Sequence, residues 1–277
     1  MRMPAARAAT RTPANPSSGG KALPSPSSGP PALSLRTSKG APSMSNAATG
    51  NPIHPDLLRF QGYADFFRLA SMFFLSPSEE LAQGVIDGSV FDDMRAIFED
   101  AGLDPSCAAF AHESALRREN PTASEMRTEL RRDYTALFTH PERPLVAICE
   151  MRFRDGRDRA EAPSTPFLNE AALHAESCYR AAGLSLDGSR SREPGDHLAI
   201  ELEFMAYLNA RLAEALERND LDAHRRWEEA LSEFEPHLTS WVPDFFSACE
   251  HSGCGTVYPW LGRIGAVFME RYLEDRA

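Results

Sequence analysis

The sequence predicts an all-α protein, a single globular bundle of about eight or more helices behind a disordered N-terminal tail. Three observations carry this. Apolar residues recur at three- and four-residue spacing through most of the chain after Pro52. Helix-start signals of the Ser/Thr-x-x-Glu kind precede several of these stretches. No run of β-branched residues alternates with the period of two that a half-buried strand requires.

Residues 1–52 are rich in Pro, Ser, Gly and Ala, as in Pro24-Ser25-Pro26-Ser27-Ser28-Gly29-Pro30-Pro31. So few large apolar groups cannot offset the roughly 1–2 kcal/mol per residue of ordering a backbone. This segment reads as a disordered tail and 53–277 as the folded domain. The tail lacks the apolar stretch of a secretory signal, and Met44 stands as an alternative start.

The first helix is expected from about Pro55 to Leu75, with Leu58, Tyr63, Phe66, Phe67, Ala70, Phe73 and Phe74 on one apolar face. In Ser76-Pro77-Ser78-Glu79, Ser76 reads as the N-cap of the next helix and Pro77 as its first residue. Thr122-Ala123-Ser124-Glu125 is a second capping box, and it opens a helix bearing Met126, Leu130, Tyr134, Leu137 and Phe138. Residues 139–166, with Pro141, Pro144, Pro163, Pro166 and the charged run Arg152–Glu161, read as a long loop. A helix from Asn169 to Ala182 follows, ending at Gly183, and then the polar loop Asp187–Gly195. The strongest helix begins near Asp196, where Leu198, Leu202, Met205, Leu208, Leu212 and Leu216 repeat to Glu217. Segments Asp222–Glu235, Pro236–Cys249 and Tyr258–Leu273 complete the bundle.

Charge narrows the function. The chain carries a net −11, while residues 1–50 hold six basic side chains and no acidic one, so the six removed from −11 leave −17 on the remainder. A body this acidic repels phosphate backbones and suits basic partners, which excludes nucleic acid. Five cysteines at irregular spacing fit reduced thiols in the cytoplasm rather than a disulfide framework. No apolar run reaches the roughly 18–20 residues of a membrane span.

Motifs for catalysis are absent: no phosphate-binding glycine loop, no GxSxG elbow, no HExxH and no paired CxxC. Two clusters remain. Cys249-Glu250-His251-Ser252-Gly253-Cys254 brings two thiols and an imidazole together, but its spacing matches no zinc knuckle and it reads as a turn, so no metal is expected. At Asp196, His197 and Glu201, two readings stand. Asp196 can be a helix N-cap, or His197 and Glu201, one turn apart, can share a functional face.

The stretch Glu193-Pro194-Gly195-Asp196-His197-Leu198-Ala199-Ile200-Glu201-Leu202-Glu203-Phe204-Met205 resembles the signature of the TorD/DmsD/NarJ family, an E-P-x-D-H loop entering a helix that continues E-x-x-F-M/L. Asp133-Tyr134-Thr135-Ala136-Leu137-Phe138 is similar to the family's shorter aromatic-x-x-Leu-Phe element. After it the family has a Gly-Pro turn and a Tyr-Glu-Ser-Val-Tyr-like segment. Here stand Thr139-His140-Pro141 and Cys149-Glu150-Met151-Arg152-Phe153.

The resemblance implies a cytoplasmic chaperone, not an enzyme and without a cofactor of its own. Its partners would be the N-terminal, twin-arginine type leader and the apo-protein of a molybdenum-containing oxidoreductase. It would assist cofactor insertion and proofreading before export, as a monomer or a domain-swapped dimer hinged in 139–166. Glu193, Pro194, Asp196, His197 and Glu201 would form the leader-binding wall, with Tyr134 and Phe138 supporting it. Two rivals are an all-helical metal-dependent enzyme using His197, Glu201 and His251, and a generic protein-interaction adaptor. The absence of a phosphate loop gives no support to nucleotide binding.

Overall fold

Helix α1 runs from Pro55 to Phe73 and turns its aromatic face inward. The computed structural model describes residues 55–141, 143–158, 169–186 and 193–277. They belong to one compact unit, Ala41–Ala277; the expectation for the tail, 1–52, lies outside them. Tyr63, Phe66, Phe67, Ala70, Phe73 and the following Phe74 are buried, whereas Leu58, expected on the same stripe, is 46% exposed.

The next helices begin where local chemistry satisfies their free amides. Ser78, not Ser76, caps α2 (Glu79–Asp87), its hydroxyl accepting from the Leu81 N–H at 3.1 Å. The cap therefore lies two residues beyond the expected one, and Pro77 precedes the helix instead of opening it. Helix α3 (Ser89–Asp100), a short 3-10 turn (Pro105–Ala108) and α4 (Glu113–Glu119) follow. The capping box at Thr122 and Glu125 is complete in both directions and opens α5 (Ala123–Tyr134). Its last turn widens into a π-helical turn, Thr135–Thr139, a form often found beside functional sites. Val146 then closes back on it, donating to the Leu137 carbonyl at 2.8 Å.

The segment expected as one long loop contains helix α6 (Glu150–Asp158). Its charged run had argued for loop, but Phe153 is buried and packs on Trp241 and Phe245, so a single anchored face holds it helical. Helix α7 (Glu170–Ala181) starts on an Asn169 side-chain cap. Helix α8 (Leu198–Glu217) lies along α1 as the central pair of the core and is flanked by α9 (Leu221–Thr239).

Pro236 does not start a helix, as the sequence had suggested; it sits inside α9. Phe234 and Leu238, on either side of it, are fully buried and carry the helix through its missing N–H. The break comes instead at Ser240-Trp241, before α10 (Val242–Glu250). Helix α11 (Val257–Arg276) closes the bundle against α10. Gly262 makes that contact possible, since a Cβ there would stand 2.4 Å from the Glu250 nitrogen and 2.6 Å from the Phe246 carbonyl oxygen. Phe268 of α11 stacks on Phe66 of α1 and meets Tyr63, Phe67 and Phe98 edge-on or tilted.

Eleven α-helices and no strand occur among the described residues, apart from an isolated bridge between Cys149 and His197. No helix among them is long and apolar enough to cross a membrane.

Candidate functional site

The turn Glu193–His197 enters α8 beside the start of α6, and the two helix starts are laced together by backbone. Leu198 donates to the Ile148 carbonyl at 3.1 Å, and Glu150 donates to the Asp196 carbonyl at 3.0 Å. Asp196 also accepts from the Met151 N–H through Oδ2 at 3.2 Å. It therefore satisfies two of the first amides of α6, the helix across from it, rather than those of its own helix. The N-cap of α8 is His197, whose Nδ1 accepts from the Ala199 N–H at 3.3 Å.

These roles bury the side chains. Asp196 is 0%, His197 2% and Glu201 0% exposed, while Glu193 and Pro194 stand at the surface. Burial pushes the His197 pKa down, against the opposing pull of Glu193 and Asp196. The neutral ring is the form whose Nδ1 can accept from the backbone. Gly195, between the exposed and buried halves, has no room for a side chain, because a Cβ would meet the Glu176 Cγ at 2.7 Å and the Ala172 carbonyl at 3.0 Å. Tyr179 pins the turn from below, its hydroxyl donating to the Gly195 carbonyl at 2.8 Å.

Of the five residues expected to form one wall, Glu193 and Pro194 thus share an exposed edge, and Asp196, His197 and Glu201 lie beneath it. Tyr134 and Phe138 are core. The Tyr134 hydroxyl donates to the Phe74 carbonyl at 3.1 Å, and Phe138 stacks on Phe245.

Glu201 belongs to a second arrangement that the sequence did not reveal. The Nε2 of His237, in the last turn of α9, lies 3.0 Å from Glu201 Oε1 and 3.0 Å from Glu150 Oε2. The Trp241 indole N–H donates to Glu201 Oε2 at 3.1 Å, and Arg154 Nε lies 2.6 Å from Glu150 Oε1. Burial raises the Glu201 pKa to about 7, although the His237 hydrogen bond pulls the other way. For His237 burial disfavours the charge, but the short contacts with the Glu150 and Glu201 carboxylates outweigh it and raise its pKa to about 9.

The pair His197–Glu201 considered for metal chemistry is not formed, since His197 is engaged at the α8 cap and Glu201 faces His237. His251 is exposed at the end of α10, its Nδ1 2.8 Å from the Ser247 carbonyl, and Cys249 is buried. Among the described residues only Glu150, Glu201 and His237 converge closely enough to hold a metal ion. Nothing in the sequence marks His237, since Pro236 beside it is a helix-start signal. Glu150 stands in the sequence only as part of the segment that takes the place of the family's Tyr-Glu-Ser-Val-Tyr-like element.

The profile of the family described as nitrate reductase delta subunit matches residues 98–247. The chain is 25% identical over 134 residues to the chaperone protein TorD of Vibrio cholerae, covering 45% of this chain and 58% of that one. To the chaperone protein TorD of Aeromonas salmonicida it is 28% identical over 146 residues, covering 51% and 66%. It thus spans less than two thirds of the length of these relatives. No solved structure matches it. The matched profile runs from the end of α3 through the Glu193–His197 turn and into α10, and the chain belongs to the nitrate reductase delta subunit family, the TorD/NarJ group.

Proposed function

We propose that the protein is a cytoplasmic chaperone of redox-enzyme maturation. It binds the twin-arginine type leader and the apo form of a molybdenum-containing oxidoreductase, and holds both through cofactor insertion and proofreading before export. Family membership and the chaperone names of its relatives support the class. The observation that carries the site is the Glu193–Pro194 edge, exposed at its tip and held at its base by Tyr179, Asp196 and His197. A pre-ordered, partly acidic edge loses little entropy when it meets a flexible leader rich in guanidinium groups.

The test is calorimetry of a synthetic twin-arginine leader peptide against the wild type and Glu193→Lys with Pro194→Ala. Both substitutions lie at the surface, so the thermal unfolding midpoint stays within a few degrees. The expected result is at least a tenfold loss of affinity. Unchanged affinity removes this edge from the site, and a wild type that binds no such leader removes the leader itself. Substituting Asp196 and His197 answers a different question, because both hold helix starts. Asp196→Ala is expected to cost about 1–2 kcal/mol of stability through α6.

A further inference from the structure

We infer that Glu150, Glu201 and His237 form a structural binding site for a divalent first-row cation such as zinc. The three ligand atoms, all within 4.8 Å of one another, come from the start of α6, the first turn of α8 and the last turn of α9. His237 Nε2 stands 3.0 Å from each carboxylate. A tetrahedral zinc ion with N and O ligands at 2.0–2.2 Å holds them about 3.3 Å apart, close to the two separations from His237, and a water would complete the four ligands.

A cluster of acids alone would not point to a cation; its unfilled valence does. The hydrogen bond at His237 Nε2 is made with Glu201 Oε1, and Glu150 Oε2, 3.0 Å from the same nitrogen, accepts none although its side chain is only 4% exposed. A second carboxylate, on Glu201, faces the same nitrogen from a fully buried position. Every other oxygen of the pair is already oriented from outside, by Arg154 on Glu150 Oε1 and Trp241 on Glu201 Oε2. That is the way outer partners hold metal-ligating carboxylates in place. His237, at 9% side-chain exposure, lies at the edge with the exposed His174 beside it, ring centroids 4.9 Å apart, which leaves a way in. One imidazole with two carboxylates suits zinc or manganese better than calcium. A cation here would fasten three helices directly behind the Glu193–His197 turn. This inference does not depend on the leader reading.

The experiment titrates the full chain, stripped with chelator, with zinc ion alone in a calorimeter. One ion per chain is expected to bind and raise the thermal midpoint, with affinity at least tenfold weaker in Glu150→Gln and in His237→Gln. Cys254→Ser should leave binding unchanged. Zinc X-ray absorption on the wild type, which does not rely on any variant folding, should show only N and O neighbours near 2.0–2.2 Å, with an imidazole pattern. No binding, binding indifferent to Glu150 and His237, or sulfur neighbours at about 2.3 Å would overturn the site.

Discussion

At the scale of the residue, His237 keeps its proton into the alkaline range because two carboxylates face one ring nitrogen in a partly dry site. Its folded pKa, about 9, lies above the ordinary 6.5, so the stability it contributes is full below pH 6.5 and lost as pH climbs through about 9. Glu201, raised to about 7, has the same sign, because its folded form also holds a proton the unfolded chain would release. His197, with a lowered pKa, works in the opposite sense as pH falls below 6.5. The groups facing His237 are Glu150 from α6, Glu201 from α8 and His174 from α7, with Arg154 behind Glu150. Metal-free protein is therefore expected to lose roughly 2–3 kcal/mol between pH 6.5 and 9 in urea titrations. His237→Gln should flatten that slope; an equal slope in both proteins would contradict this origin. The sequence could not show this network, since Glu150, Glu201 and His237 stand 36 to 87 positions apart and only tertiary packing of α6, α8 and α9 brings them together.

At the scale of the element, apolar period and capping chemistry were legible, while two departures were decided by packing. The capping box at Thr122, the Asn169–Gly183 helix and the stripe of α8 follow from local rules, and they stand where those rules put them. Helix α6 has too few apolar residues for its period to show, and only the seating of Phe153 against Trp241 reveals why it is helical. Pro236 carries a strong local stop signal that Phe234 and Leu238 override. The α10–α11 contact depends on a missing side chain. Gly262→Ala forces the two backbones apart and is expected to cost about 1–3 kcal/mol in urea unfolding. Gly156→Ala in α6 is the control, with nothing within 4 Å of the added carbon, and should be neutral or slightly stabilising. Equal effects of the two would mean that close approach at Gly262 is not what limits packing.

At the scale of the molecule, the −17 carried beyond residue 50 sets the long-range field that a basic partner meets. Such a field acts mainly on the rate of encounter and is screened within about 10 Å at 0.1 M salt. On the proposed function, leader association measured by stopped flow should slow severalfold between 50 and 500 mM salt, with dissociation changing less. A salt-independent association rate would assign recognition to apolar contact alone. The all-helical class was legible because every level of the sequence after Pro52 agrees on it. The edge proposed to face a client was legible only through the Glu-Pro-Gly-Asp-His string, and that string did not show which of its residues reach the surface.

The lacing of α6 to the Asp196 turn also sets an order of events in time. Helix α6 takes two of its first amide partners from a residue 45 and 46 positions further along the chain, so a nascent chain gains them only once α8 has begun. Its Glu150 carboxylate then waits for His237, near the end of α9. Segments that must wait for distant partners fold late and open early. The start of α6 is therefore expected to be the last part of this domain to lock during synthesis, and the first to report that the C-terminal helices have come undone.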